Sequence, residues 1–191
     1  MNGEKWVFGY GSLMWRPGFP FLETAHARVH GYHRSLCVYS HVHRGTPERP
    51  GLVLGLDRGG ACRGVAYRVD DRHWDETVAY LRVREQTTGV YLETCLNMVF
   101  PDGRQRQGLA YIIDRNHFQY AGRLTVDDMV RHVVGGVGQS GPNPEYVLNT
   151  HAHLQELGVR DALLSELSAR LRTALSETPG SQADATSGSG L

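Results

Sequence analysis

Apolar positions recur along this chain with two different periods. Short runs rich in β-branched and aromatic residues, WVFGYG, SLCVYSHV, GLVLGL, CRGVAYRV, YLETCLNMVF and GLAYII, are separated by Arg-Gly-Thr-Pro, Arg-Gly-Gly and Pro-Asp-Gly. These read as strands joined by turns, in a sheet curled toward a barrel. Helical spacing appears from Asp71 to about Gln86, from Thr125 to about Val134, and from Glu145 to about Arg172 with a break near Gly158. The closing stretch, SETPGSQADATSGSGL, has too little apolar surface to offset the entropy of ordering it. Residues 1–175 are therefore expected to form a single domain and 176–191 a disordered tail. No internal repeat is present.

One strand pattern breaks early. The run VFGYGSLMWRPG dissolves into glycines and then returns to Leu13, Met14 and Trp15. Glycine lets a backbone approach a ligand or another strand with no side chain between them. Composition narrows the choices: 191 residues, 40% hydrophobic and 21% charged, suit a globular domain with a real core. Twenty basic residues balance twenty acidic ones, so neither nucleic acid nor an anionic membrane is an expected partner. The opening MNGEKWVFGYGS lacks a basic region followed by a long apolar run, and no later segment has the roughly 20 apolar residues that span a bilayer. A cytoplasmic protein is expected. Three widely separated cysteines, Cys37, Cys62 and Cys95, argue against a disulfide framework and read as reduced.

Familiar motifs fail on spacing. A dinucleotide fingerprint beginning at Gly9 and Gly11 meets Met14 where its third glycine belongs. Gly136 and Gly141 have phosphate-loop spacing, but Pro142 and Asn143 follow where Lys and Ser or Thr are required. Ser12 is flanked at two residues by Tyr10 and Met14, not by the glycines of a nucleophile elbow. His41 and His43, like His151 and His153, are spaced as ligand pairs with no third ligand apparent, so solvated or hydrogen-bonded histidines and no metal are expected. Nothing in the sequence places a base beside Cys37 to make it a nucleophile.

One carboxylate stands out. In DRHWDETVAYLRVREQ, Trp74, Val78 and Leu81 form an apolar stripe whose next position is Glu85. On one reading the helix is ending there and Glu85 pairs with Arg82 or Arg84 in solvent. On the other the helix persists, and an inward carboxyl with a raised pKa is suited to act as a base near neutral pH.

FGYGSLMWRPGF, HRGTPERPG, YLRVRE with GVY after it, and SGPNPEYV occur in the order seen in ChaC-type γ-glutamylcyclotransferases, and the chain resembles that family over about residues 6 to 165. The resemblance implies an α+β fold, a small mixed β-barrel with flanking helices. It implies cleavage of glutathione to 5-oxoproline and Cys-Gly, with no cofactor and no metal. It assigns the base to Glu85 and binding of the γ-glutamyl group to the Tyr10, Gly11, Ser12, Leu13 turn. Tyr146 is either a further pocket hydroxyl or a tyrosine packed beneath the Pro-rich turn. Val42 and Arg82 stand where the family often has acids, and Val90 where glycine is common, which bears on pocket shape and substrate preference. The same chemistry on another γ-glutamyl amide or amine, or a non-catalytic metabolite-binding regulator of the same fold, are the alternatives.

Overall fold

The structure, a computed structural model, describes residues 3–177. Five strands form a closed barrel: β1 (Lys5–Gly9), β2 (Glu23–Ser40), β3 (Gly51–Val69), β4 (Tyr91–Val99) and β5 (Gln105–Ile113). Their order is β1-β3-β2-β4-β5, antiparallel throughout except where Val7 of β1 meets Leu109 of β5 in parallel and closes the ring.

β2 and β3 are longer than the sequence pattern suggests. GLVLGL and CRGVAYRV are one continuous strand, because Arg-Gly-Gly bends the chain without reversing it. Gly59 and Gly60 take positive φ values of 104° and 66°, and the partner strand shifts register between His30 and Tyr32, around Gly31 at φ 82°. Paired irregularities of this kind sharpen twist and let two strands serve both ends of a barrel.

Alternate residues of each strand face opposite ways, and both faces are buried. Phe8, Val29, Ala66, Met98 and Ala110, one from each strand, pack together inside the barrel. Space there is short: a Cβ on Gly64 would lie 2.7 Å from the Phe8 ring. The intervening residues Val7, Val65, Tyr67, Leu109 and Tyr111 belong to a second core shared with the helices.

Four helices supply that cover: α1 (Trp74–Glu85), α2 (Val126–Gly135), α3 (Asn143–Glu156) and α4 (Ala162–Glu177). Thr125 and Asp128 form a capping box at the start of α2, and Asp70 caps the short turn that leads into α1. The break expected near Gly158 separates α3 from α4, with Gly158 at φ 67°. Ser176 and Glu177 complete α4; the rest of the expected tail, 178–191, lies outside the described residues. A small ladder, β6 (Val137–Gly138) with β7 (Gly141–Pro142), precedes α3. No helix among the described residues is long and apolar enough to cross a membrane.

Candidate active site

The glycine-rich stretch is the exit from β1. The strand stops at Gly9 and the chain coils into a single 3₁₀ turn, Ser12–Met14. Gly9 permits this because a Cβ there would sit 3.1 Å from that of Leu13 and 3.3 Å from the amide nitrogen of Met14. Within the turn Met14 N donates to Gly11 O at 2.8 Å and Arg16 N to Ser12 O at 2.9 Å. The first amides of any helical turn have no partner inside it, which leaves them for other acceptors.

Two side chains fix the turn from behind. Tyr67 donates its hydroxyl to Met14 O at 2.6 Å. Arg34, buried in the barrel wall, donates to Tyr10 O and to Arg63 O and pairs with Asp161 at 2.9 Å. With an acid, two carbonyls and the Met14 sulfur taking four of its five donors, the buried guanidinium of Arg34 acts as a strut.

Glu85 is the final residue of α1, and the helix does persist to it. Leu81 is fully buried one turn earlier, and Trp74 and Val78 pack on the helix-facing core. The Glu85 side chain is only 17% exposed, yet Arg84 Nε lies 3.1 Å from its Oε1. Both sequence readings therefore hold part of the answer: the carboxyl points inward and carries an arginine with it. Burial pushes its pKa above the ordinary glutamate value, and the Arg84 charge partly opposes that rise. Arg82 is turned away, donating two hydrogen bonds of 2.8 Å to Glu93 on β4.

Arg84 links the carboxyl to the turn. Its Nη2 donates to Ser12 Oγ at 2.8 Å, and its Nη1 to Arg16 O at 2.6 Å, Pro17 O at 3.2 Å and Tyr80 Oη at 3.1 Å. One guanidinium thus sets the distance between the end of α1 and the 3₁₀ turn.

Three tyrosines complete the group. Burial raises the pKa of Tyr10, Tyr91 and Tyr146, that of Tyr146 to about 12, and the nearby charge of Glu85 adds to the rise in each. They remain neutral phenols able to donate a hydrogen bond. Two are held by one residue of β3: Leu54 N donates to Tyr146 Oη at 3.1 Å, and Tyr91 Oη donates to Leu54 O at 2.7 Å. The reason lies in topology. β1 pairs with β3 only at its far end, from Val65 to Val69, so the first part of β3 needs other partners on that side. Asn143 supplies the others, accepting from Leu52 N at 2.7 Å and donating to Leu52 O at 2.8 Å. The site opens at this strand edge, which side chains complete.

The other residues singled out in the sequence lie in the turn, in the wall or away from the site. Gly11 and Leu13 are buried and Ser12 is half-buried within the turn. Cys37 is fully buried behind the tyrosines and its thiol is pushed up to about 12, first by burial and then by the charge of Asp57, so it is no nucleophile. His43 bonds Ser140, His151 bonds Ser165, and His153 stacks on Trp15. Val42 is exposed, and Val90 is buried beside Cys37, Val38 and Ile113 in the wall next to Tyr91. Arg34, Tyr91 and Asn143 carry no role that the sequence alone points to, and Arg84 only that of an ion-pair partner of Glu85. Arg84, Tyr91 and Asn143 lie inside motifs already singled out, YLRVRE, GVY and SGPNPEYV, but the partners that define their roles, Ser12, Leu54 and Leu52, are 37 or more positions away in other elements and leave no local signal.

The ChaC-like protein family matches residues 5–174. The chain is 33% identical to the glutathione-specific gamma-glutamylcyclotransferase of Escherichia coli (strain K12), over 92% of this chain and 76% of that one. It is 34% identical to glutathione-specific gamma-glutamylcyclotransferase 1 of Homo sapiens, over 80% of this chain and 71% of that one. The crystal structure of a yeast gamma-glutamyl cyclotransferase specific to glutathione superposes with a TM-score of 0.81 at 23% identity, covering 90% of this chain and 97% of that one, and so shares its fold. The barrel, the order of its motifs and these relatives agree: the chain belongs to the ChaC-like family.

Proposed function

We propose that this protein is a γ-glutamylcyclotransferase that converts glutathione to 5-oxoproline and Cys-Gly. The observation that carries the reading is the carboxyl of Glu85, buried at the end of α1 among three tyrosines and tied through Arg84 to the Ser12 turn. The names of its relatives supply the substrate class.

The chemistry needs little from the protein beyond placement. The α-amine of a γ-glutamyl group attacks its own γ-carbonyl, a five-membered lactam forms, and the C–N bond to the cysteine nitrogen breaks. Both reactants come from one substrate, so the reaction calls for no metal and no cofactor. The ammonium must first lose a proton and the departing amine must gain one. Glu85, its pKa raised by burial, accepts the first and returns it to the second, and the further proton that the ring nitrogen sheds as the lactam forms leaves with the amine, which departs as an ammonium. Amides of the Tyr10, Gly11, Ser12, Leu13 turn hold the α-carboxylate or the oxygen that becomes negative as the ring closes. The neutral phenols of Tyr10, Tyr91 and Tyr146 bound the pocket and add no competing charge. A glutathione substrate and unpaired cysteines both suit a reducing compartment, which supports a cytoplasmic reading.

Purified protein incubated with glutathione, and separately with other γ-glutamyl dipeptides, is expected to release 5-oxoproline fastest from glutathione, unchanged after exhaustive chelation. Glu85→Gln is expected to lower the rate by about 10²- to 10⁴-fold while the protein stays folded. A folded Glu85→Gln protein working at the parent rate would remove the proposed base. Faster release from a different γ-glutamyl compound would keep the chemistry and change the substrate.

A further inference from the structure

Arg44, in the HRGTPERPG segment between β2 and β3, is unlike Arg34 and Arg84 in having little to hold. Its main chain is fixed: Arg44 N donates to Ser40 Oγ at 3.0 Å, and a Cβ on Gly51 would lie 2.1 Å from Arg44 O. Its guanidinium rests 5.4 Å from the centre of the Tyr146 ring and donates to Pro142 O at 3.2 Å. None of the ion pairs among the described residues involves it. Glu145 approaches the same glycine, Gly141, without coming within ion-pair distance. A half-buried guanidinium with one of five donors used and an aromatic face behind it is a ready receptor for a carboxylate.

Its position suits one carboxylate in particular. Arg84 sits on the Ser12 side of Glu85, where the α-carboxylate of a γ-glutamyl group would bind. Arg44 sits on the Tyr146 side, one aromatic ring removed. Glutathione carries its second carboxylate on glycine, two residues into the leaving group. At about 3.5 Å per extended residue that is roughly 7 Å from the bond that breaks.

We propose that Arg44 is a specificity-determining residue that receives the glycine carboxylate of glutathione, which would make the protein select tripeptides ending in a free carboxylate. The proposal rests on the cyclotransferase reading above and deepens it. Binding at this distance from the reacting atoms orients the γ-glutamyl chain, so its loss appears in kcat/KM.

The test compares glutathione with glutathione amidated at glycine, on the parent protein, Arg44→Gln and Arg44→Lys, with 5-oxoproline as the readout. The parent is expected to prefer the free carboxylate by about 10- to 100-fold, the worth of a charged hydrogen bond. Arg44→Gln should lose that factor on glutathione and nothing further on the amide, with Arg44→Lys intermediate. An equal fall on both substrates would reduce Arg44 to a brace for Tyr146 and overturn the proposal. So would a parent protein indifferent to amidation, a result that needs no variant to fold. Release of 5-oxoproline from neither substrate by the parent would instead sink the cyclotransferase reading.

Discussion

Burying a carboxyl makes it a better base and a poorer contributor to stability, and at Glu85 the two consequences can be read separately. Its pKa is raised above the ordinary 4.5, so the native state holds the proton more tightly than the unfolded chain does. The resulting destabilisation is absent below the unfolded value, grows as pH rises toward the native one, and is complete above it. Glu85→Gln should therefore melt no lower than the parent at pH 7, and any gain should vanish as pH falls below about 4.5. Melting curves at the two pH values check this; a variant markedly less stable at pH 7 would show that the ionised carboxyl is a net tie. In kinetics the acid limb of kcat/KM should lie above the same 4.5. Arg84 sharpens the point, because its charge opposes the rise while its donors hold Ser12, Arg16 and Pro17. Arg84→Gln is expected to move the acid limb to higher pH and to raise KM. A rise in KM with an unmoved limb would leave Arg84 as scaffold alone.

At the scale of elements, the informative contact is between the first turn of α3 and the open edge of β3. Asn143 and Tyr146 lie three apart on the helix and reach Leu52 and Leu54, two apart on the strand, so one helical turn continues the sheet with side chains. Asn143 is fully buried and satisfies both main-chain groups of Leu52. Asn143→Ala strands an amide and a carbonyl away from water, at about 1–3 kcal/mol for each group. A lowered urea midpoint, with activity falling because Tyr146 loses its register, is the expected outcome; an unchanged midpoint would mean that water replaces the amide. The helices were legible in the sequence because their apolar stripes repeat locally, and α1 could be followed as far as Glu85 for that reason. β2 was legible only in its second half. Its first half alternates correctly, with Ala25, Ala27 and Val29 turned in, but alanine is a weak strand former and gives little signal. The Arg-Gly-Gly bend in β3 carries the same residues as a hairpin turn, and only the matching irregularity at Gly31 makes it a kink. The links from Arg84 to Ser12, from Tyr91 to Leu54 and from Asn143 to Leu52 left no signal because they exist only when distant segments meet.

Over the whole molecule, closure is what joins site and scaffold. A barrel closed through β1 and β5 has no free terminal strand to peel away, and the same strands line the interior, the helix-facing core and the site wall. The cysteines report on three of these places. Cys95 is exposed on β4, Cys62 is 2% exposed inside the barrel, and Cys37 is 0% exposed in the wall behind Tyr10 and Tyr91. Burial raises the pKa of both Cys37 and Cys62, so each is shielded by lack of thiolate as well as by lack of access. In native protein a thiol reagent is expected to modify Cys95 promptly and the other two only as the protein unfolds. Because the wall and the interior share strands, Cys37 and Cys62 should become reactive with the same dependence on urea, tracking the global transition. Mass-resolved labelling across a urea series measures both at once. Modification of Cys37 well before Cys62 would show that the site wall opens on its own, and the fixed spacing from Glu85 through Arg84 to the Ser12 turn would then describe one state of a mobile site.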